Sequence, residues 1–422
     1  MNISNRDQKH IWHPLVQHKL QPKMLGIVKA KEAILTDENG REYIDGIASW
    51  YTAMYGHCNE YIIKKVYEQM QVLDQVVFSG FTHDPAVRFA EELIKILPEN
   101  QQKVFFNDNG STATEVGIKM ALQYFHNREK KRDSLLAFEN GFHGDTLGAM
   151  SVSGLSVYHG IFQKHLSKVH RIPTPDGKNT DEILEQLENL IKNHQIAGFI
   201  YEPLVQGAAG MLMHDPDGLN EILKMCKAND ILCIADEVMT GFGKTGKPFA
   251  SDQIKTKPDI ICLSKAISAG MLPMGLTSCT QEIYDAFYAD EMAKAMFHAH
   301  TYSGNPLACA AAIAGLELLL SEEMQENIQR IIRTHQDFGK KIISHPKVNS
   351  VRQCGVIFAL EIKSNLREHY SNLRDKLYDF YMENGVYLRP LGNTVYILPP
   401  YVITDKQLDK IYDTIEKSLE IV

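Results

Sequence analysis

Through the middle of this chain, short apolar runs alternate with longer stretches in which apolar residues keep a helical spacing. Val104–Asn107, Leu135–Phe138, Ile196–Tyr201, Ile231–Ala235 and Pro258–Leu263 read as strands. Ala113, Val116 and Met120 put one apolar face on a helix over Thr112–Phe125, and Leu219–Lys227 repeats the pattern. Strands apolar on both faces and separated by helices predict an α/β fold, with a mainly parallel sheet covered on both sides. This large domain is expected to span residues 55–320.

The two ends have a different rhythm. Ile27–Leu35 and Glu42–Ile44 flank Asp37-Glu38-Asn39-Gly40, whose Asn-Gly predicts a hairpin because both residues tolerate positive φ. Towards the C-terminus, Leu366, Tyr370, Leu373 and Leu377 keep helical spacing, and Val386–Leu388 and Val395–Leu398 read as strands. A last helix is expected after Thr404, capped by Thr404 and Gln407, with Leu408, Ile411 and Ile415 on its inner face. Residues 1–54 and 321–422 are therefore expected to combine into a smaller α+β domain.

Composition narrows the function. The 422 residues carry 44 Lys and Arg against 52 Asp and Glu, a net charge of −8, so no basic field exists to hold nucleic acid or an anionic membrane. No apolar run approaches the roughly 20 residues of a membrane span. The polar N-terminus lacks a signal-peptide core, and the seven cysteines are scattered with no C-x-x-C pair. A cytoplasmic protein with buried thiols is expected.

Asp236 and Lys265 each stand just beyond an apolar run, which in a parallel sheet places them at the carboxyl edge where ligands bind. A carboxylate there is costly unless something cationic receives it, and a partly desolvated amine could form a Schiff base. Either residue alone is more often an ordinary salt-bridge member. Asn109-Gly110-Ser111-Thr112 joins a strand to a helix, where N–H groups and hydroxyls serve as a plain N-cap or as a phosphate cradle. Cradle, acid and lysine together meet the needs of pyridoxal phosphate: a neutralised phosphate, a protonated ring nitrogen and an attachment point.

The run Ile234-Ala235-Asp236-Glu237-Val238-Met239-Thr240-Gly241-Phe242-Gly243-Lys244-Thr245-Gly246, followed by Leu263-Ser264-Lys265-Ala266, resembles the signature of the class III aminotransferases of fold-type I. The resemblance extends over essentially the whole chain. His10–Pro14, Ala48-Ser49-Trp50, Asn140–Thr146, Glu202–Gly207 and Arg389–Gly392 narrow it to the branch that converts 8-amino-7-oxononanoate to 7,8-diaminononanoate in biotin biosynthesis. It implies a seven-stranded large domain, pyridoxal 5'-phosphate as cofactor, and a homodimer with active sites at the interface. Lys265 would carry the cofactor as the internal aldimine and Asp236 would meet its ring nitrogen. Gly110 and Ser111 would hold the phosphate, joined by Thr301 of the partner subunit, with Phe142, His143, Val238 and His300 around the cofactor. Trp50 and Tyr51 would wall the substrate chain, Arg389 would clamp its carboxylate, and Leu15, Phe142 and Ala299 would line the same site. The amino donor implied is S-adenosylmethionine, with lysine as the alternative; the other substrate reading is a different ω-aminotransferase, acting on ornithine, 4-aminobutyrate or a diamine.

Three departures from the family pattern stand out: Phe142 replaces a tyrosine, Leu15 an aromatic residue, and His300 a proline. His298 and His300 lack a third ligand at recognisable spacing, so no metal is expected. Gly241–Gly246 matches G-x-G-x-x-G, but Asp236 and Glu237 already end the apolar run and Met239-Thr240 intervene, against a dinucleotide fingerprint. It is expected to be a flexible loop near the cofactor.

Overall fold

The computed structural model describes all residues except 1, 22, 155–159 and 364–371. Three strands open the chain: β1 (Ile27–Lys31), β2 (Ile34–Asp37) and β3 (Glu42–Asp45). The middle contributes β4 (Gln101–Asn107), β5 (Ser134–Phe138), β6 (Val169–Ile172), β7 (Ile196–Tyr201), β8 (Val205–Gln206), β9 (Leu212–Met213), β10 (Leu232–Asp236), β11 (Ile260–Leu263) and β12 (Gly275–Thr280). The last are β13 (Val348–Cys354), β14 (Ile357–Ile362), β15 (Val386–Tyr387) and β16 (Thr394–Ile397).

Seven strands form the large sheet in the order β4-β12-β11-β10-β7-β5-β6. The pairs from β11 to β6 are parallel, and β12 runs antiparallel to both of its neighbours. Alternate residues of each inner strand enter two separate apolar cores. Ile200, Ile234, Ile260 and Cys262 pack with Ala113, Val116 and Ala121 of the helix Gly110–Asn127, whereas Phe199, Cys233, Ala235 and Ile261 pack on the opposite face with Leu219, Ile222 and Cys226. That is why these strands read as uninterrupted apolar runs: both faces are covered. Gly117 sets how closely the first helix lies on the sheet, since a Cβ there would come within 2.9 Å of Cys262 Sγ.

Strand β12 escaped the sequence reading because it carries Thr277 and Ser278 in its interior. These buried hydroxyls are satisfied internally: Thr277 donates to Ala113 O (2.8 Å) and Ser278 to Gln101 Oε1 (2.7 Å). Strands β6, β13 and β14 were likewise not foreseen.

The termini meet in one four-stranded sheet, β1-β2-β3-β15, where β15 pairs parallel with β3 through Val386↔Ile44 and Tyr387↔Asp45. The expected strand Ile27–Leu35 is broken at Glu32, whose φ of 53° turns the chain into a first hairpin. The β2–β3 hairpin exists, but of Asn39 and Gly40 only Gly40 takes positive φ (81°). Asp37 instead organises that turn, accepting the N–H groups of Asn39 and Arg41 at 2.9 Å each. The final helix, Asp405–Ser418, has the expected Thr404–Gln407 capping box. Leu373 and Leu377 lie on the helix Asn372–Glu383, while Leu366 and Tyr370 fall outside the described residues.

The Gly241–Gly246 segment is buried rather than flexible. Lys244 is wholly enclosed and donates to Gly241 O (2.8 Å), Phe242 O accepts from Tyr401 (2.6 Å), and Lys244 O accepts Val356 N–H (2.9 Å). Positive φ at Gly243 (93°) and Gly246 (89°) lets the backbone fold beneath the C-terminal strands.

His335 is fully buried among these C-terminal elements, between Tyr412 Oη (2.7 Å) and Val356 O (3.2 Å), and burial pushes its pKa down to about 3. A neutral ring in the fold and an ordinary ring in the unfolded chain mean that the unfolded state binds the extra proton. Stability is therefore full above pH about 6.5 and falls as the pH drops towards 3, by about 1.4 kcal/mol per pH unit for this one group. Denaturant titrations at pH 7 and pH 5 should show this loss, and His335→Gln should show a smaller difference between the two pH values.

Candidate active site

Parallel pairing of β10 with β11 aligns Asp236 with Cys262, so Asp236 and Lys265 both emerge at the carboxyl edge of the large sheet. The Asp236 side chain is 4% exposed, and its Oδ2 lies 2.7 Å from Nδ1 of the enclosed His143. Its Oδ1 accepts Val238 N–H at 3.1 Å. His143 N–H is itself held by Ser153 Oγ (2.9 Å). A carboxylate accepting from two fixed donors keeps its orientation and still has lone pairs for a third.

Lys265 follows Ser264 and opens a short 3-10 turn with φ of 50°. Burial lowers the pKa of its amine, with Asp236 and Glu202 opposing that shift. Nζ lies 5.4 Å from the centre of the Tyr51 ring. A lysine with lowered proton affinity is a competent nucleophile.

Beside them begins the helix Gly110–Asn127. Asn109 caps it by accepting Thr112 N–H (3.0 Å), and Thr112 Oγ1 accepts Asn109 N–H (3.3 Å). The cap uses Thr112 and leaves the first N–H groups, on Gly110 and Ser111, outside the helical ladder. Ser111 Oγ accepts from Asp145 N–H (3.1 Å), so its own proton is the one it can offer. Glycine is required beside it: a Cβ on Gly144 would fall 2.3 Å from Ser111 Oγ.

Leu15, Trp50, Tyr51, Gly110, Ser111, Phe142, His143, Asp236, Val238 and Lys265 all line a single cavity of ≈ 360 Å³, a size typical of small-molecule sites. Arg389 lies in an adjoining cavity that shares Leu15, Trp50 and Leu391, and its guanidinium sits 4.8 Å over the Trp50 ring. Ala299, His300 and Thr301 do not line either cavity of their own chain. His300 is engaged with Asp108 (3.0 Å) and His298 (2.8 Å), and Thr301 O accepts from Gln75 (2.8 Å).

Glu202 belongs to this site, although its role was not foreseen. It directly follows β7, an apolar run that ends in a carboxylate just as β10 does, so the signal that marked Asp236 was present here too. Its oxygens accept Phe142 N–H and Gly207 N–H, each at 3.0 Å. Burial pushes its pKa up to about 7, with Asp236 adding to the rise and His143 opposing it.

The donor set fits pyridoxal phosphate. Free N–H groups and a hydroxyl proton at a helix start suit a phosphate, an anchored buried carboxylate suits a ring N–H, and an amine of lowered pKa faces the same space.

The family model for aminotransferase class III matches residues 15–419. Two relatives named adenosylmethionine-8-amino-7-oxononanoate aminotransferase match along their lengths. That of Synechococcus elongatus is 42% identical over 419 residues, covering 97% of this chain and 98% of its own. That of Geobacter sulfurreducens is 38% identical over 439 residues, covering 99% and 97%. The crystal structure of the enzyme of that name from Methanocaldococcus jannaschii superposes with a TM-score of 0.94 at 33% identity, covering 99% of this chain and 98% of that one. An amine transaminase from an uncultivated Pseudomonas species, in its PLP-bound internal aldimine form, superposes at 0.92 with 30% identity, covering 97% and 98%. With strand-end acid, strand-end lysine and helix N-terminus gathered at one sheet edge, the chain belongs to the class III aminotransferases, pyridoxal-phosphate-dependent enzymes of fold-type I.

Proposed function

We infer that this aminotransferase converts 8-amino-7-oxononanoate to 7,8-diaminononanoate in biotin biosynthesis, with S-adenosylmethionine as the amino donor. One observation carries the reading: the cavity holding Asp236 and Lys265 continues past Trp50 to Arg389, in a chain resembling, end to end, relatives that bear that substrate in their name. An acceptor with an apolar chain between a reacting ketone and a distant carboxylate matches a lysine and an arginine separated by an aromatic wall.

Bound pyridoxal phosphate supplies the electron sink and carries the amino group from donor to acceptor. Asp236, oriented by His143 and Val238, holds a proton at the ring nitrogen. Gly110 and Ser111 would hold the phosphate, and Phe142, its backbone held by Glu202, would orient the ring. Lys265 is the attachment point, and its Nζ moves a proton at the substrate carbon. Arg389 binds the acceptor carboxylate with its planar fork, while Trp50 and Tyr51 exclude water along the chain.

We further propose a homodimer in which Thr301, with Ala299 and His300 near it, completes the cofactor site of the partner subunit. Exposed Phe297 and Tyr302, each 61% accessible on either side of this segment, support that reading. Domain boundaries near residues 54 and 320 are proposed on the strand composition of the two outer sheets. No helix among the described residues is long and apolar enough to cross a membrane, and a cytoplasmic location is proposed on the seven unpaired cysteines.

Lys265→Ala should retain cofactor non-covalently, give no borohydride-trapped adduct, and lose at least about a hundredfold in transamination rate. Normal turnover by that variant would remove Lys265 from its role. Arg389→Ala should raise KM for 8-amino-7-oxononanoate by about 10- to 100-fold, the worth of a charge-assisted contact, with little change in kcat; unchanged KM would reassign the carboxylate site. The pyridoxamine form should be discharged by 8-amino-7-oxononanoate and not by the keto partners of ornithine or 4-aminobutyrate, and it should be regenerated by S-adenosylmethionine rather than lysine. Mixing Lys265→Ala with Thr301→Ala subunits should restore activity above either parent, because each mixed dimer then has one site with both residues intact.

A further inference from the structure

Between β3 and the helix Glu60–Met70, four consecutive non-glycine residues have positive φ: Ala48 (47°), Ser49 (45°), Trp50 (65°) and Tyr51 (72°). With ψ of 59° at Ser49 and 43° at Trp50, the chain makes one turn of left-handed α-helix. The turn is closed by Tyr51 N–H to Ile47 O and Thr52 N–H to Ala48 O, both 2.9 Å. L-residues resist this conformation because Cβ crowds the carbonyl, and they visit it singly, not in fours. Surrounding structure must therefore hold it.

What the turn achieves is the direction of two side chains. Trp50 reaches both cavities and lies under the Arg389 guanidinium. Tyr51 faces Lys265 and donates through its hydroxyl to Tyr396 Oη (2.9 Å). The opposite helical hand would send successive side chains around the backbone the other way, so both could not face the site from the same anchor points.

A clasp of side chains spans the turn. Asp45, enclosed at the end of β3, accepts Ser49 Oγ–H through Oδ2 (2.8 Å) and Ile47 N–H through Oδ1 (3.2 Å). The same Oδ2 lies 2.8 Å from His57 Nε2, which is 3.2 Å from Ser49 Oγ. His57 is fastened in turn through its backbone, exchanging bonds with Glu32 at 2.7 and 2.9 Å. Thr52 Oγ1 closes the far side on Ser49 O (2.9 Å).

We propose that Asp45, Ser49 and His57 are positioning residues for acceptor recognition: their clasp holds the left-handed turn that sets Trp50 and Tyr51 against Arg389 and Lys265. The proposal rests on the acceptor assignment above only in what Trp50 and Tyr51 recognise.

The chain has two tryptophans, so a Trp12→Phe holoenzyme reports on Trp50 alone. In that background Ser49→Ala removes the hydroxyl tie but keeps the Cβ that opposes positive φ, whereas Ser49→Gly removes both. Ser49→Ala is expected to lower the fluorescence anisotropy of Trp50 and raise acceptor KM about tenfold with kcat nearly unchanged, as for a displaced binding wall. Ser49→Gly, able to take the turn without the tie, should recover most of both losses. A merely structural hydroxyl would shift Tm alone; parental anisotropy and KM in both variants, or equal losses in both, would overturn the proposal. Should Ser49→Ala fail to fold, His57→Leu against His57→Gln gives the same comparison, since glutamine retains a donor for Asp45. Anisotropy is read without substrate, so a wrong acceptor would abolish only the KM ranking and overturn the acceptor assignment, whereas a wrong clasp would abolish both rankings.

Discussion

The 2.7 Å contact between Asp236 and His143 lies where water scarcely reaches, and the geometry of the site depends on it. A carboxylate at the end of an all-apolar strand would be driven to protonate unless donors met it. Two donors meet it here, one from the loop after β5 and one from the turn after β10, and they fix its plane at the carboxyl edge of the sheet. The lysine just beyond the neighbouring strand has its pKa lowered, since burial disfavours its charge. Acid and amine thus share one desolvated space, in which the carboxylate opposes the loss of the amine's charge.

Around this pair the fold supplies a second kind of control, the placement of backbone donors. The helix Gly110–Asn127 lies flat on the sheet because Gly117 lets it approach, and the same contact delivers its N-terminus to the sheet edge. Glu202 acts in a similar way from β7: its oxygens grip the backbone N–H groups of Phe142 and Gly207 on the rim of the cavity. Three neighbouring strand ends, those of β7, β10 and β11, therefore bring Glu202, Asp236 and Lys265 to one edge of the sheet.

The Trp50 side of the cavity is built on different terms. Its aromatic wall comes from a turn of unfavourable hand, each residue of which costs roughly 1–2 kcal/mol relative to ordinary helix. That cost is offset by a buried aspartate and by ties to Glu32 and to β15. Since β15 comes from the C-terminal part of the chain and leads directly to Arg389, the sheet that anchors the wall also anchors the arginine.

Much of this was legible from residue order alone. The inner strands of the large sheet, the capping box at Thr404 and the strand-end placement of Asp236 and Lys265 follow from local pattern, because apolar periodicity and cap chemistry act over a few residues. Glu202 carried the same signal as Asp236. Strand β12 did not show, since its hydroxyls become acceptable in a core only when Ala113 O and Gln101 come to meet them. The Gly241–Gly246 segment looked mobile for its glycines, yet those glycines let it fold beneath distant strands. The left-handed turn at Ala48–Tyr51 contradicts every local preference of its residues and exists because Asp45 and His57 hold it. Sequence by itself determined where apolar faces, caps and ionisable strand ends would lie. Only tertiary structure decided which side chains share a cavity and which backbone strain is kept, because the first gathers residues as distant as Leu15 and Leu391 and the second needs Asp45 and His57 to meet across the turn.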